Sequence, residues 1–262
     1  MSRPVITLTT DFGQMDGYVG AMKGVILGIC PQAEMVDISH QIQPQAVQQA
    51  AYVLSTAAPY FPPGTVHLVV VDPGVGSARR PVAVETERAA FVGPDNGVFG
   101  LALVQDPARR AVHLTETRYH MQPISATFHG RDIFAPAAAH LACGVAVADM
   151  GEVLALSELV ELAISAPHPQ PGGGWQCTVL HVDRFGNLIT NFRLPSPRQG
   201  LRVGVGGQWI QEITRTFADV EPGKLVAYAG SSGYLEVAVR EGSAADVLAM
   251  GAGDPVEIEV TL

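Results

Sequence analysis

The sequence predicts an α/β protein: an N-terminal, mainly parallel sheet flanked by helices, followed by a smaller β-rich domain. Three observations predict it. Strand-like and helix-like periodicities alternate through the first half, as they do where crossover helices cover both faces of a parallel sheet. The run VHLVVV at 66–71 is apolar at nearly every position, so a strand there must be buried on both faces. A Pro/Gly stretch, APHPQPGGG at 166–174, then separates this half from a series of short strands.

The elements follow in order. Residues 5–9 are β-branched and apolar, and Asp11, Phe12 and Gly13 end the strand. From 15 to 29 the apolar residues Val19, Met22, Ile26 and Ile29 recur at helical spacing, and Pro31 stops the helix. Residues 35–38 read as a short strand. Residues 44–58 read as a second helix, with Pro44 at its start and Pro59 beyond its end. After the buried strand at 66–71 come strands at 81–85 and 90–92, then helices at 97–104 and 135–142. Beyond the Pro/Gly stretch, strands are expected at 176–182, 201–205, 225–228, 235–239 and 256–261, with Gly206 and Gly207 forming a hairpin turn. The domain reading is therefore 1–165, a linker at 166–175, and 176–262.

Composition narrows the function classes. With 262 residues, 47% apolar and 16% charged, the chain can bury one large or two unequal cores. A net charge of -9 and the lack of a basic stripe argue against a nucleic-acid partner. No apolar run approaches the roughly 20 residues that span a bilayer, and the N-terminus turns polar too soon for a signal peptide, so no membrane partner and a cytoplasmic location are expected. Cys30, Cys143 and Cys177 are few, odd in number and far apart in sequence, which favours buried structural thiols over a disulfide framework or a zinc site.

Polar residues at the ends of buried strands are where an open α/β sheet carries chemistry. Asp11 and Asp72 lie directly at strand ends, with Asp16 five residues after Asp11, and function is favoured for the two strand-end acids. Asp95, in GPDNG, is better read as turn chemistry. The run VVVDPGVGSARR, Val69 to Arg80, lacks the Gly-Lys-Ser/Thr ending of a phosphate loop and the third glycine of a dinucleotide fingerprint. What remains is a rigid Pro/Gly turn that holds Asp72 and an arginine together. His129, in TFHGRDIF, stands in a polar run at the mouth of a helix, where a catalytic and a structural role are about equally expected. A metal site built from His129, Asp132 and His140 is disfavoured because their spacing matches no helical ligand pair. In the second domain, Asp183 to Asn187 ends a strand and Gly230 to Leu235 precedes one. Both read as hairpin turns or as ligand-binding loops.

Taken together, six runs resemble the S-adenosyl-L-methionine hydroxide adenosyltransferase family, relatives of fluorinase and chlorinase. They are TTDFGxxDxYVGxMKG at 9–24, VVVDPGVGSxRR at 69–80, GPDNG at 93–97, TFHGRDIFAPAAAHLA at 127–142, DRFGNLITN at 183–191 and SSGYLEVAV at 231–239. The resemblance implies that the C-terminal domain is β-barrel-like and that the protein is a homotrimer with sites at subunit interfaces. It implies a reaction in which water or hydroxide attacks C5′ of S-adenosyl-L-methionine, releasing adenosine and L-methionine, with no cofactor and no metal. The family's catalytic Asp–Arg–His set falls on Asp72, Arg79 and His129, with Arg79 preferred to Arg80 because it follows Asp72 by the family's spacing. Substrate contacts fall on Asp11 (ribose), Asp16 and Asp183 (methionine amino group), Asn187 (adenine) and Ser231 (methionine carboxylate). The halogenating relatives carry Tyr and Thr where this chain has Asp72 and Val75, and Ser where it has Gly130; a carboxylate at Asp72 would repel a halide, which favours hydroxide chemistry. Position 232 is Ser where the halogenases carry Arg.

Chemistry agrees with that implication. A sulfonium is already a good leaving group, so the protein has mainly to present an oxygen nucleophile in line with the C5′–S bond. Arg79 would stabilise developing hydroxide charge while His129 and Asp72 hold or take the proton. Two rivals remain: a metal-dependent phosphohydrolase using Asp11, Asp16 and Asp72, and a non-catalytic adenosine-binding or S-adenosylmethionine-binding module.

Overall fold

The computed structural model describes residues 3–171, 173–195 and 200–260. The chain divides into two compact units, Met1–Ala163 and Ile164–Leu262.

The first unit contains β1 (Val5–Thr10), α1 (Tyr18–Ile29), β2 (Glu34–Ser39), α2 (Val47–Ala57), β3 (Thr65–Val70), β4 (Pro81–Glu85), β5 (Ala89–Pro94), α3 (Gly100–Gln105), β6 (Arg110–His113), α4 (Ala135–Ala142) and β7 (Glu152–Leu154). They build a seven-stranded sheet in the order β2-β1-β3-β5-β4-β6-β7. The first four strands run parallel, whereas β4 is antiparallel to both β5 and β6, and β7 is antiparallel to β6. The half-sheet reversal has a local cause. The 86–88 connection between β4 and β5 is far too short for the crossover that parallel strands need, and Thr86 clamps it by exchanging hydrogen bonds with Ala89.

Helices cover both faces. Leu68 and Val70 of β3 point to the side where α1 and α4 pack through Met22, Ile26, Phe134 and Ala138. Val69 and the adjacent Val71 point to the other side, against Leu54 of α2 and Ala102 of α3. That two-sided burial is why the run at 66–71 carries no alternating polar face. From β1 the chain crosses through α1 to β2 on one side, then returns through α2 to β3 on the other. The topological switch point therefore falls between β1 and β3, where Thr10 is in register with Val70, and a crevice is expected beyond those two strand ends. Asp11 and Asp72 follow them.

The second unit contains β8 (His168–Pro169), β9 (Trp175–Val182), β10 (Leu188–Arg193), β11 (Leu201–Val205), β12 (Gln208–Ile210), β13 (Ile213–Thr214), β14 (Leu225–Ala229), β15 (Tyr234–Val239), α5 (Ala244–Leu248) and β16 (Pro255–Val260). The strand order is β12-β11-β16-β9-β10-β15-β14-β13, with β8 on β9. All neighbours are antiparallel except β13 and β14. The sheet curls into a nearly closed, barrel-like form around Val179, Leu188, Val203, Leu235, Val237 and Ile258. Gly206 and Gly207, with φ of 55° and 74°, make the β11–β12 turn. Both central residues of such a two-residue turn need positive φ, the conformation that favours glycine.

Several elements differ from the sequence reading. The expected linker, 166–175, holds β8 and the first residue of β9, and its Gly172 lies outside the described residues. The last residue of the strand expected at 256–261 also lies outside them. The thiols are not all buried: Cys30 and Cys177 are, but Cys143 is exposed at the end of α4. Among the described residues no helix is long and apolar enough to cross a membrane.

Candidate active site

At the switch point, a cleft of about 390 Å³ is lined by the strand-end residues Asp11 and Asp72 and by the Thr127–Gly130 run. That volume lies in the range of roughly 300–1,000 Å³ typical of small-molecule sites. Three segments build it, each placed by local physics. The turn after β3 is shaped by Gly76, whose φ is 76° and where a Cβ would lie 2.7 Å from the carbonyl oxygen of Ala126. Only glycine lets that turn pack against the strand of chain entering His129. Gly130 opens a single π-helical turn, Gly130–Phe134, before α4, an irregularity common at functional sites. A Cβ there would press on Met22, Phe128 and Val70 at 3.3–3.4 Å.

These segments bring Asp72, Arg79 and His129 together. Arg79 grips Asp72 with two parallel bonds, Nε to Oδ1 at 2.9 Å and Nη2 to Oδ2. Its Nη2 also lies 3.1 Å from His129 Nδ1, and its guanidinium stacks 5.3 Å from the Phe134 ring centroid. The side chains of Arg79 and Asp72 are 7% and 6% exposed, so the pair is essentially desolvated. Asp72 and His129 line the cleft and Arg79 is not among its lining residues. Arg79 thus braces both groups, and its buried Nη1 has no acceptor among the described residues.

The histidine's chemistry follows from its partner. A guanidinium can only donate, so Nδ1 of His129 must accept and the neutral ring carries its proton on Nε2. Burial first, then the Arg79 charge, pushes the His129 pKa below its ordinary value, against opposing pulls from Asp72 and Asp132. Near neutral pH the ring is uncharged.

Neighbouring acids have other tasks. Asp132 accepts from Arg131 Nε at 2.6 Å, from Arg131 Nη2 at 3.0 Å and from Ser125 N at 2.8 Å. Although burial opposes it, these bonds hold its carboxyl below the usual range, and they pin the 121–125 segment. His140 packs on the Tyr119 ring instead, at 4.9 Å. Among the described residues, no group of three or more His, Cys, Asp or Glu is placed to hold a metal ion. Asp95 accepts from Arg80 at 2.6 and 3.0 Å and from Val160 N at 2.8 Å, so it locks a turn. Arg80 is committed there, which separates it from Arg79.

Asp11 lines the cleft and accepts from Gln45 N at 2.8 Å. A relay running from the buried Thr10 and His40 to the partly exposed Asp37 and Lys23 steadies its turn. His40 Nδ1 meets Thr10 Oγ1 at 2.8 Å, His40 Nε2 meets Asp37 Oδ1 at 3.0 Å, and Lys23 Nζ closes on Asp37 Oδ2 at 2.6 Å. The His40 carbonyl accepts from Gly13 N at 2.8 Å. His40→Ala should destabilise the protein by about 1–3 kcal/mol, the cost of leaving the buried Thr10 hydroxyl without its partner, measured by urea denaturation.

Asp16 is exposed in the turn before α1 and does not line the cleft. Asp183, Asn187 and Ser231 lie in the second unit. Asp183 Oδ1 accepts from Phe185 N and Asn187 N, and Oδ2 accepts from Asn187 Nδ2, all at 2.9 Å. This is the self-bonded turn that an Asp before glycine favours. Ser231 is exposed in the β14–β15 turn.

The sequence reading missed the cleft's aromatic wall. Phe12, Tyr18 and Phe128 meet with centroid separations of 5.6, 6.0 and 5.2 Å. Each directly follows or lies near a singled-out polar motif, the one signal that could have found them.

Comparison with known proteins gives a consistent result. Residues 6–151 match the model of the SAM hydroxide adenosyltransferase N-terminal domain, and residues 177–257 match that of the C-terminal domain. The chain is 45% identical to an (R)-S-adenosyl-L-methionine hydrolase of Thermus thermophilus, over 98% of this chain and 99% of the relative. It is 43% identical to one of Salinispora tropica, over 97% of each, and 29% identical to a fluorinase of Actinoplanes, over 90% of each. A crystal structure of a conserved protein from Thermotoga maritima superposes with a TM-score of 0.89 at 36% identity, covering 97% of this chain and 99% of that one.

Proposed function

The chain belongs to the SAM hydroxide adenosyltransferase family, and from that premise we infer that it hydrolyses S-adenosyl-L-methionine to adenosine and L-methionine. The observation that carries the site assignment is the desolvated Asp72–Arg79 pair, joined by Arg79 to His129, with Asp72 and His129 lining the switch-point cleft.

In this reading an oxygen of water forms a bond to C5′ as the C5′–S bond breaks, and the sulfonium leaves as the neutral thioether of methionine. The water proton must go elsewhere. Asp72 is the only anion of the three, and each of its oxygens keeps a lone pair beyond the bond from Arg79. Asp72 therefore accepts the proton, His129 orients the water through Nε2–H, and Arg79 positions both. Because the sulfonium is its own activated leaving group, no cofactor or metal enters. Asp11 holds the ribose, and the aromatic wall excludes water that would otherwise solvate the reacting charges. Asp16, Asp183, Asn187 and Ser231 contact the methionine and adenine ends, in a cytoplasmic homotrimer whose sites form where subunits meet. The carboxylate at Asp72 disfavours a halide nucleophile.

The deciding experiment incubates the protein with S-adenosyl-L-methionine in ¹⁸O-water with EDTA present. Label in the 5′-oxygen of adenosine is the expected result. Turnover that is lost in EDTA would show that a metal takes part, and binding without turnover would point to a sensing module.

The pH profile supplies a second test. Neutral His129 accepts from Arg79, while protonated His129 cannot and would repel it. Since its pKa is lowered, kcat/KM should stay level as pH falls through about 6.5, the free-histidine value, and decline only below it. A decline centred above that value would contradict the assigned role.

A further inference from the structure

Cys30 caps the C-terminal end of α1 and Cys143 caps that of α4, the two helices that pack side by side on one face of the sheet. The sequence separates them by 113 positions, from 30 to 143, yet the fold sets them together. Cys143 Sγ lies 3.8 Å from the carbonyl oxygen of Ile29 and accepts from Gln32 Nε2 at 3.3 Å, so it lies against the stretch of chain, 29–32, that contains Cys30. Both thiols thus sit at the packed C-terminal ends of α1 and α4. One is exposed and the other buried, the arrangement of an attackable sulfur backed by a resolving one.

We propose that Cys30 and Cys143 are a redox-modifiable pair that a hydroperoxide oxidises to an intramolecular disulfide, stapling the ends of α1 and α4. In the first step the exposed Cys143 thiolate attacks the peroxide. An S–O bond forms, the O–O bond breaks, and the departing oxygen leaves as water, giving a sulfenic acid. In the second step the Cys30 thiolate attacks the sulfenic sulfur, the S–S bond forms, the S–O bond breaks and a second water leaves. Two thiols are oxidised to one disulfide while one hydrogen peroxide is reduced to two waters.

Burial first, then the neighbouring Cys143 thiol, raises the Cys30 pKa to about 12. The second step therefore accelerates with pH. The same helices run back to the cleft, α1 from Tyr18 and α4 from the turn that follows His129. The staple closes at their far ends, away from the reacting groups, so it constrains the unfolded chain more than it disturbs the cleft.

The full-length protein is treated with hydrogen peroxide and mapped by mass spectrometry without reduction. A loss of about 2 Da, assigned to one linked Cys30–Cys143 peptide pair and reversed by dithiothreitol, is expected. Closing so long a loop should raise the Tm by about 5–10 °C, with activity at 25 °C held within about twofold. Cys143→Ser and Cys143→Ala should each abolish the linkage and the Tm shift, whereas Cys177→Ser should abolish neither. A gain of about 32 Da on Cys143 with Cys30 still alkylatable, a linkage through Cys177, or an intermolecular dimer through Cys143 would each overturn the proposal.

Discussion

Asp72→Asn is expected to lower kcat by about 10²–10⁴-fold, the range associated with losing a positioned proton acceptor, with a much smaller change in KM. The amide nearly preserves the volume of the carboxylate but cannot take a proton at neutral pH. It also removes the anion that receives two bonds from Arg79 in a nearly dry setting. Arg79 would then keep a full charge with no anion beside it, facing only the neutral amide oxygen and the His129 ring as acceptors, so the water-binding geometry should loosen as well. Steady-state release of adenosine, followed by chromatography, measures the effect. Activity within threefold of the parent would remove Asp72 from the proton-accepting role. Glu87→Gln, at an exposed acid paired with Arg109 on the surface, should leave kcat nearly unchanged and controls for nonspecific loss of carboxylates.

The second large effect concerns stability. Phe134→Ala should cost about 3–5 kcal/mol, measured by urea denaturation. The side chain is fully buried in the core shared by α1, α4 and one face of the sheet. It also forms the surface on which the Arg79 guanidinium rests, 5.3 Å from the ring centroid. Truncation therefore opens a cavity and removes the support of the group that braces Asp72 and His129. Phe134→Leu retains most of the volume and should lose less than half as much stability. It still removes the aromatic face, so any drop in kcat it shows at full folding reports on Arg79 positioning alone. A Phe134→Ala loss below about 1 kcal/mol would mean that the neighbouring alanines of α4 close the space.

Much of this was legible in sequence because it rests on local patterns. The uninterrupted apolar run at 66–71 can only be a strand buried on both faces, and the proline stops around α1 and α2 act within a few residues. The helix starts were less legible. Helices read from 15 and 44 begin at Tyr18 and Val47, because the preceding residues are spent on the cleft turns, Gln45 adopting φ of 67°. Strands β6 and β7 carry little signal because strands of four and three residues, partly exposed and lying at or next to the sheet edge, have too few apolar positions to show a period of two. The antiparallel half of the first sheet was hidden in the length of one connection.

The candidate site divides the same way. The run from Val69 to Arg80 shows in sequence that an acid and an arginine share one rigid turn, and the six ordered motifs point to the chemistry. These depend on residue identity and spacing, which a sequence states outright. The family's spacing already prefers Arg79 to Arg80, and the tertiary structure supplies the physical reason: Asp95, at the end of another strand, claims the second arginine. The tertiary structure alone decides that Arg79 stands behind the cleft while Asp72 and His129 face it, and that Cys30 and Cys143 meet. The physical reason is common to all of these: hydrogen-bond partners and desolvation are set by groups 15 to more than 100 positions away, brought near by sheet order and helix packing, and no local pattern encodes which of them arrives first.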